Sequence, residues 1–396
     1  MFVGTGSSMA SIDGSLSLYL HIPFCERKCI YCDFYSIEDL TPQREFVALL
    51  LKEIDLKLEA FPEHKGRSIS TLFFGGGTPS LLSPEELASI VTKLKEYFVF
   101  SPDIEFTLEC NPGTISLEKL QGYRSLGANR LSFGVQSFNE DELQFLSRIH
   151  DANQAREAIT LARQAGFESV NLDLIFALPN QTKEKLAFSI DEALKLGTDH
   201  ISAYNLIVEE GTPLNRMVKL GQVGELGVDD AAELMSYVQE RLSDAGYEQY
   251  EISNYARSPE HRCKHNLVYW DGFADYMSFG PSAHEFLGGT RSWNISSLDK
   301  YGEMIKGGNI PRNNSETVTT DQHRTEVLYC QLRSTGIVID QFNSAFDEDI
   351  MLHPDMKHLI ADGMIVKKDG RLCLTAKGYR YCDAVVVRLM NVLEHA

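Results

Sequence analysis

The chain has 396 residues, 43% hydrophobic and 23% charged, with 37 basic against 56 acidic side chains and a net charge of −19. That length can bury one large α/β domain plus a smaller one, or two or three medium domains, and the composition is that of a globular chain, neither disordered nor fibrous. The acidic balance excludes a nucleic-acid-binding surface, and no apolar run reaches the roughly 18 residues of a membrane span. Eight cysteines are too few for a disulfide scaffold, which places the chain in a reducing compartment, the cytoplasm by default.

Residues 1–15 are Gly- and Ser-rich without Lys or Arg, and read as a flexible tail rather than a targeting signal. Over 16–215, six stretches read as buried strands: "LSLYLHIPF", "STLFFGGG", "IEFTLECNP", "NRLSFGVQS", "SVNLDLIFALP" and "HISAYNLIVEE". Helical segments lie between them. Ser83 caps one, with Pro84 at its first position and Glu86 completing a capping box; Asn139 with Glu142, and Asp230 with Glu233, are expected to open two more. Strand followed by helix, six times over, implies parallel strands with right-handed crossovers, in an open or barrel-like sheet. Such sheets carry functional loops at the strands' C-terminal ends. The unusual residues gather there: the first cysteines after strand one, Gly75-Gly76-Gly77 after strand two, Glu109 and Pro112 after strand three, Gln136 after strand four, Asp173 and Pro179 at strand five.

Residues 216–317 read as an accessory α+β region, with a long helix ending near Gly246 and a loop rich in aromatics and His that carries "HNLVYW" at 265–270. Residues 318–396 read as a small winged-helix-like domain, with two strands flanking a turn at Lys368-Asp369-Gly370. Its acidic surroundings argue against a DNA role.

Cys25, Cys29 and Cys32 are spaced Cys-x3-Cys-x2-Cys. Structural zinc takes four ligands, commonly in two pairs, and no partner pair exists here. A redox pair uses two cysteines and leaves the third unexplained. Three thiolates on one loop suit three irons of a 4Fe-4S cluster, the fourth iron being open to a non-protein ligand.

The sequence resembles the radical S-adenosylmethionine superfamily through Cys25, Cys29, Cys32, the intervening Tyr31 and the "GGGTP" run at 75–79. The resemblance spans about residues 18–290 and implies a partial (β/α)6 TIM-like barrel. It also implies that the cofactor's methionyl group chelates the open iron and that the reduced cluster cleaves it to a 5′-deoxyadenosyl radical. Glycines let backbone groups approach the methionyl ammonium, so Gly76, Gly77 and Thr78 fit its shelf. A tight turn alone explains three glycines equally well, and the place beside the cluster loop favours the shelf. For each of Glu109, Gln136, Arg148 and Asp173, an ordinary salt bridge serves as well as a ligand contact.

Within the superfamily, "YLHIPFC", "ECNPGT", "RLSFGVQSF", "LSRIH" and "NLDLIFALPNQT" resemble the oxygen-independent coproporphyrinogen III oxidase-like group, made up of the dehydrogenase and the haem chaperones. In that group the residues matching Tyr19, Tyr31, Gly76, Gly77, Thr78, Glu109, Gln136, Arg148 and Asp173 contact S-adenosylmethionine. Two departures set the chain apart from the dehydrogenase: Phe34 stands where that enzyme has a further cysteine, and only 24 residues precede Cys25. "HNLVYW" is similar to the chaperones' His-Asn-x-x-Tyr-Trp signature, in which the histidine, here His265, contributes to haem binding. From chemistry alone a His-Asn pair beside aromatics reads as a turn cap; the resemblance reverses that reading, with Cys263 and His261 as substitutes on the same loop. "SFGPSAHEF" at 278–286 departs from the group through Pro281 and Ser282.

The expected function is therefore that of a haem chaperone with a 4Fe-4S cluster, S-adenosylmethionine and haem as bound groups. An acceptor haemoprotein and a second copy of the chain are its expected partners, and no catalytic residue is assigned. Radical decarboxylation of coproporphyrinogen III is the competing reading, and a structural iron-sulfur or zinc protein a third.

Overall fold

The computed structural model describes residues 15–390, so the tail expected over 1–15 lies, except for Ser15, outside the described residues. Six strands run parallel in chain order: β1 (Leu16–Ile22), β2 (Ser68–Gly76), β3 (Val99–Cys110), β4 (Arg130–Gln136), β5 (Ser169–Phe176) and β6 (His200–Asn205). Helices cover their outer side, and the core is built there from residues such as Leu16, Leu18, Leu20 and Ile22 of β1.

Residues 216–317 join the same sheet at both ends. The short strands β7 (Glu248–Gln249) and β8 (Asn254–Ala256) extend it antiparallel beyond β6. On the other side β9 (Tyr276–Phe279) pairs parallel to β1, followed by antiparallel β10 (His284–Leu287), β11 (Thr290–Asn294) and β12 (Arg312–Thr317). The twelve strands run from β12 to β7 without closing on each other, so the barrel is open. Two buried clusters fasten the β9 side to the helix Gln43–Ala60. Lys57 pairs with Glu285 at 2.8 Å, and Glu53 accepts from Gly280 N, Asn294 Nδ2 and Tyr301 OH.

Residues 318–390 pack around a second core that includes Leu328, Phe342, Leu359 and Leu372. Helices Thr320–Leu332, Ile339–Phe346 and Met356–Ala361 surround a three-stranded antiparallel sheet of β13 (Ile337–Val338), β15 (Arg371–Leu374) and β14 (Ile365–Lys368), in that order. Asp369 and Gly370 turn the hairpin with φ of 50° and 75°, both left-handed as a two-residue turn requires. No helix among the described residues is long and apolar enough to cross a membrane.

Ser83 and Glu86 form the expected capping box of the helix Pro84–Tyr97. Two other helix starts differ from expectation. Asn139 precedes the helix Glu140–Phe145 but does not cap it, because its amide donates instead to Lys185 O and Ser189 Oγ of the neighbouring helix, each at 3.0 Å. Ser137 takes its place locally, accepting from Asn139 N and donating to Glu142 Oε2. The third helix begins at Val228 with Gly227 as its cap, so Asp230 lies inside the first turn, where a carboxylate favours the helix dipole.

Candidate functional site: the cluster loop and the barrel lumen

Beyond β1 the chain makes a loop whose neck is closed by Cys25 N donating to Ile37 O at 3.0 Å and Ile37 N donating to Pro23 O at 2.8 Å. The three expected cysteines lie within it. Gly77 N donates to Ile22 O and Thr78 N to Phe24 O, which prolongs the β1–β2 pairing into the loop. A Cβ on Gly77 would stand 2.6 Å from Phe24 O, and one on Gly76, at φ 105°, would strike the His21 ring at 2.5 Å. Both glycines are thus demanded by close packing against β1, whatever ligand they also meet. Thr78 Oγ1 donates to Cys25 Sγ at 3.5 Å, and Arg148 Nη1 donates to Cys29 Sγ at 3.1 Å. Cys25 and Cys29 are buried and Cys32 half-buried; burial pushes the Cys25 thiol up and that of Cys32 to about 11. A metal held by these thiols would reverse this, since a coordinating thiol is deprotonated outright. Among the described residues no three His, Cys, Asp or Glu side chains are gathered as a single metal ion requires. Tyr31 packs against the small cluster of Leu146, Ile175 and Leu178, and Phe34 is 67% exposed.

The inner face of the barrel is polar. Register sets Tyr19 beside Phe73, Thr71 beside Glu105, Ser132 beside Asn171, and Asp173 beside Ser202. Glu109 Oε2 accepts from Gly76 N at 3.1 Å, and Asp173 Oδ1 accepts from Asn171 Nδ2 at 2.7 Å. Removal from water pushes Glu109 up to about 8, with the Asp173 carboxylate adding to the effect, and raises Asp173 as well. Neither carboxylate forms an ion pair among the described residues. Gln136 holds a left-handed φ of 71° at a bulge in β4, and its Oε1 is buried without a partner among the described residues, as is Arg148 Nε. Gly134 makes the room they occupy, since a Cβ there would meet Gln136 Nε2 at 3.0 Å and Arg148 Nη2 at 3.3 Å. Tyr204 and Tyr269 lie deep enough for burial to raise both phenols well above their ordinary value, yet they are 39% and 37% exposed. Both lie close enough to Glu109 for its carboxylate, once ionised, to raise them further.

The "HNLVYW" run was expected in a loop and forms the helix Lys264–Asp271. Glu105 of β3 explains this: its carboxylate accepts from Lys264 N at 2.9 Å and His265 N at 3.0 Å, capping the helix from across the barrel. His265 is 1% exposed, stacked on Phe73 with centroids 4.8 Å apart. Burial, then the Arg130 charge, lowers it to about 3, so the imidazole is neutral. Cys263 is fully buried with Sγ 3.5 Å from Glu105 Oε1, while His261 lies apart, 3.9 Å from Asp199. Leu267, Trp270 and Asp271 face away from His265, into a cleft of about 690 Å³ shared with Arg262, Lys368 and Arg371.

The radical SAM superfamily model matches residues 19–193. A protein named heme chaperone HemW from Mycobacterium tuberculosis is 36% identical over 380 residues, 94% of each chain. Another from Bacillus subtilis is 36% identical over 368 residues, covering 91% of this chain and 96% of its own. The chain belongs to the HemW family. Among solved structures, the radical SAM enzyme coproporphyrinogen III oxidase (HemN) from Escherichia coli superposes with a TM-score of 0.80 at 26% identity, covering 96% of this chain and 90% of its own.

Several polar residues of this HemW-family barrel are not singled out by the sequence, although two of them, Arg130 and Asn171, open the RLSFGVQSF and NLDLIFALPNQT runs. Thr71, Glu105, Arg130, Asn171 and His200 point inward with the expected site residues, and His200 links Asn171 Oδ1 at 2.6 Å to Tyr250 OH at 2.8 Å. Their signal was the alternation of polar with apolar residues along strands that, being parallel, are otherwise expected to be apolar throughout. The turn Gly280–Ser282 packs on β1 and on the helix Gln43–Ala60: Gly280 N donates to Glu53 of that helix, a Cβ on Gly280 would lie 2.4 Å from His21 O, and Ser282 takes a φ of 65°.

Proposed function

We propose that the chain is a haem chaperone that holds a 4Fe-4S cluster on Cys25, Cys29 and Cys32, binds S-adenosylmethionine beside it, and carries haem on His265 to an acceptor haemoprotein. The observation that carries this reading is the 36% identity to heme chaperone HemW relatives over 94% of the chain. The donor set fits the bound groups. Three cysteines on one pinched loop supply three thiolates, and Arg148 supplies a charge-assisted hydrogen bond to one of them. When bound, the cluster and cofactor supply one-electron chemistry.

S-adenosylmethionine brings an ammonium, a sulfonium and a ribose diol, all of which need acceptors or anions. Among the described residues Glu109 and Asp173 are two lumen carboxyl groups without an ion-pair partner, and the Gln136 amide oxygen lacks a donor. Tyr19, Tyr31, Gly76, Gly77, Thr78 and Arg148 line the same end of the barrel and complete the proposed cofactor site. His265 is kept neutral by its surroundings, the state in which imidazole ligates iron. We assign the cluster and cofactor to residues 16–215, the haem helix to 216–317, and to 318–390 the support of that helix, through Gln331 Nε2 on Asp271 O at 2.8 Å. The proposed setting is the cytoplasm, and a second copy of the chain is a proposed partner.

Oxidative decarboxylation of coproporphyrinogen III is the competing reading, supported by the HemN-like fold. Anaerobic reconstitution with iron and sulfide, titration with ferric haem, and an assay for porphyrinogen consumption separate the two. Stoichiometric haem uptake that is lost in His265→Ala, without turnover, is expected. Turnover without haem uptake overturns the chaperone reading.

A further inference from the structure

The two ring nitrogens of His265 are held by partners of different kinds. Nδ1 lies 2.7 Å from Thr71 Oγ1, on a central strand, and Nε2 lies 2.9 Å from Tyr269 OH, one helical turn further along. A phenol is a stronger acid than an aliphatic alcohol and hence the better donor. Tyr269 O–H therefore donates to Nε2, and Nδ1–H donates to Thr71. The one lone pair in the plane of the neutral imidazole thus lies under the tyrosine hydroxyl.

The surroundings of these two partners differ as well. Thr71 is 1% exposed and fixed in the sheet, and Phe73 stacks on the His265 ring with an interplanar angle of 19°. Tyr269 packs edge-on against His265 and Tyr276, at 5.1 and 4.8 Å, while 37% of its surface faces open space. Its hydroxyl has no hydrogen-bond partner besides His265 among the described residues. Tyr269 projects from a helix and is partly exposed, whereas Tyr19 and Phe73, which also stack beside the imidazole, stand on the strands β1 and β2.

We propose that Tyr269 is a removable cap on His265: its hydroxyl occupies the ring nitrogen that a haem iron needs, so ligation follows rotation of the phenol, while Thr71 fixes the other nitrogen as the protonated one. A second hydrogen bond of this kind commonly sets the tautomer and orientation of a ligating histidine. The inference rests on the reading of His265 as the haem ligand. It adds that the unloaded chain keeps its ligand masked, so that haem uptake competes with an internal hydrogen bond.

The test uses the full chain, reconstituted with its cluster and titrated anaerobically with ferric protoporphyrin IX. Tyr269→Phe should bind haem about tenfold more tightly, the factor equivalent to one hydrogen bond, with the wild-type absorption spectrum retained. Tyr269→Leu, which also lacks the hydroxyl, is measured alongside in case one variant does not fold. Thr71→Val should alter the haem spectrum, and Thr71→Ser should restore it. In the haem-free chain, Tyr269→Phe should move the 15N resonance of His265 Nε2 more than that of Nδ1. Wild-type affinity in both Tyr269 variants, with an unmoved Nε2 resonance and a spectrum that still depends on His265, removes the cap and leaves the ligand. A spectrum unchanged in His265→Ala removes the ligand and the cap together.

Discussion

Arg148 donates to the sulfur of Cys29 across 3.1 Å, and through its other terminal nitrogen to Gly134 O, so one guanidinium ties the cluster loop to β4. The bond strengthens once the sulfur is a thiolate, because both partners are then charged. Arg148→Met keeps the apolar stem and removes the donor. The reconstituted variant should lose iron to a chelator about 10 to 100 times faster than wild type, the range typical of residues that support a metal ligand. Equal rates in the two proteins would show that the arginine serves only the fold.

Gly77 allows the strand β1 to continue into the cluster loop against β2. Gly77→Ala puts a Cβ within 3 Å of three backbone atoms of residues 22 and 24, none of which can rotate away. The expected cost is about 1 to 3 kcal/mol, with poorer iron retention because Cys25 follows directly. Gly113→Ala is the control, since its nearest neighbour would be Ile149 at 3.6 Å, an ordinary contact. Thermal unfolding and iron content, measured on both, should separate them.

The barrel depends on its extension as well. Lys57 and Glu285 form an ion pair with side-chain exposures of 2% and 4%, and Lys57 also donates to Ser278 O of β9, the neighbour of β1. Lys57→Met strands the Glu285 charge in the core with Arg312, Ser292 and the Ser278 backbone N–H as its remaining partners, which should cost about 3 to 5 kcal/mol in chemical denaturation. The double variant Lys57→Met, Glu285→Gln should regain most of the loss, because the stranded charge is gone. A double variant no more stable than the single one would mean that geometry matters here more than charge.

These contacts bear on what could be read from the sequence. The six parallel strands and the cysteine loop were legible because apolar runs and spacing are local signals, and Ser83 with Glu86 formed its box because both partners sit on one turn. Asn139 misled because its amide is claimed by Ser189, 50 residues away. The HNLVYW helix was hidden for the same reason, its cap being Glu105, about 160 residues earlier. Lumen residues such as Glu105 and His200 belong to no motif and become visible only when register lines them up. Local chemistry was readable; partners brought by the fold were not.

Glu109 ties the lumen to pH. In the folded chain burial, aided by Asp173, pushes its carboxyl up to about 8 from an ordinary 4.5. Between those values the folded chain holds a proton that the unfolded chain has released, so stability falls as pH rises through the window. The contribution is complete below pH 4.5 and gone above 8, with a slope of at most about 1.4 kcal/mol per pH unit from this one group. Glu109→Gln cannot titrate, so the stability of wild type relative to the variant should decline from pH 5 to pH 8 in denaturant unfolding. Parallel curves would mean that Glu109 titrates in its ordinary range. A cationic ligand beside the carboxylate favours its ionised form, so S-adenosylmethionine binding near pH 7 should release a proton. Calorimetry in buffers of different ionisation enthalpy reads that proton directly, and in Glu109→Gln it should be absent.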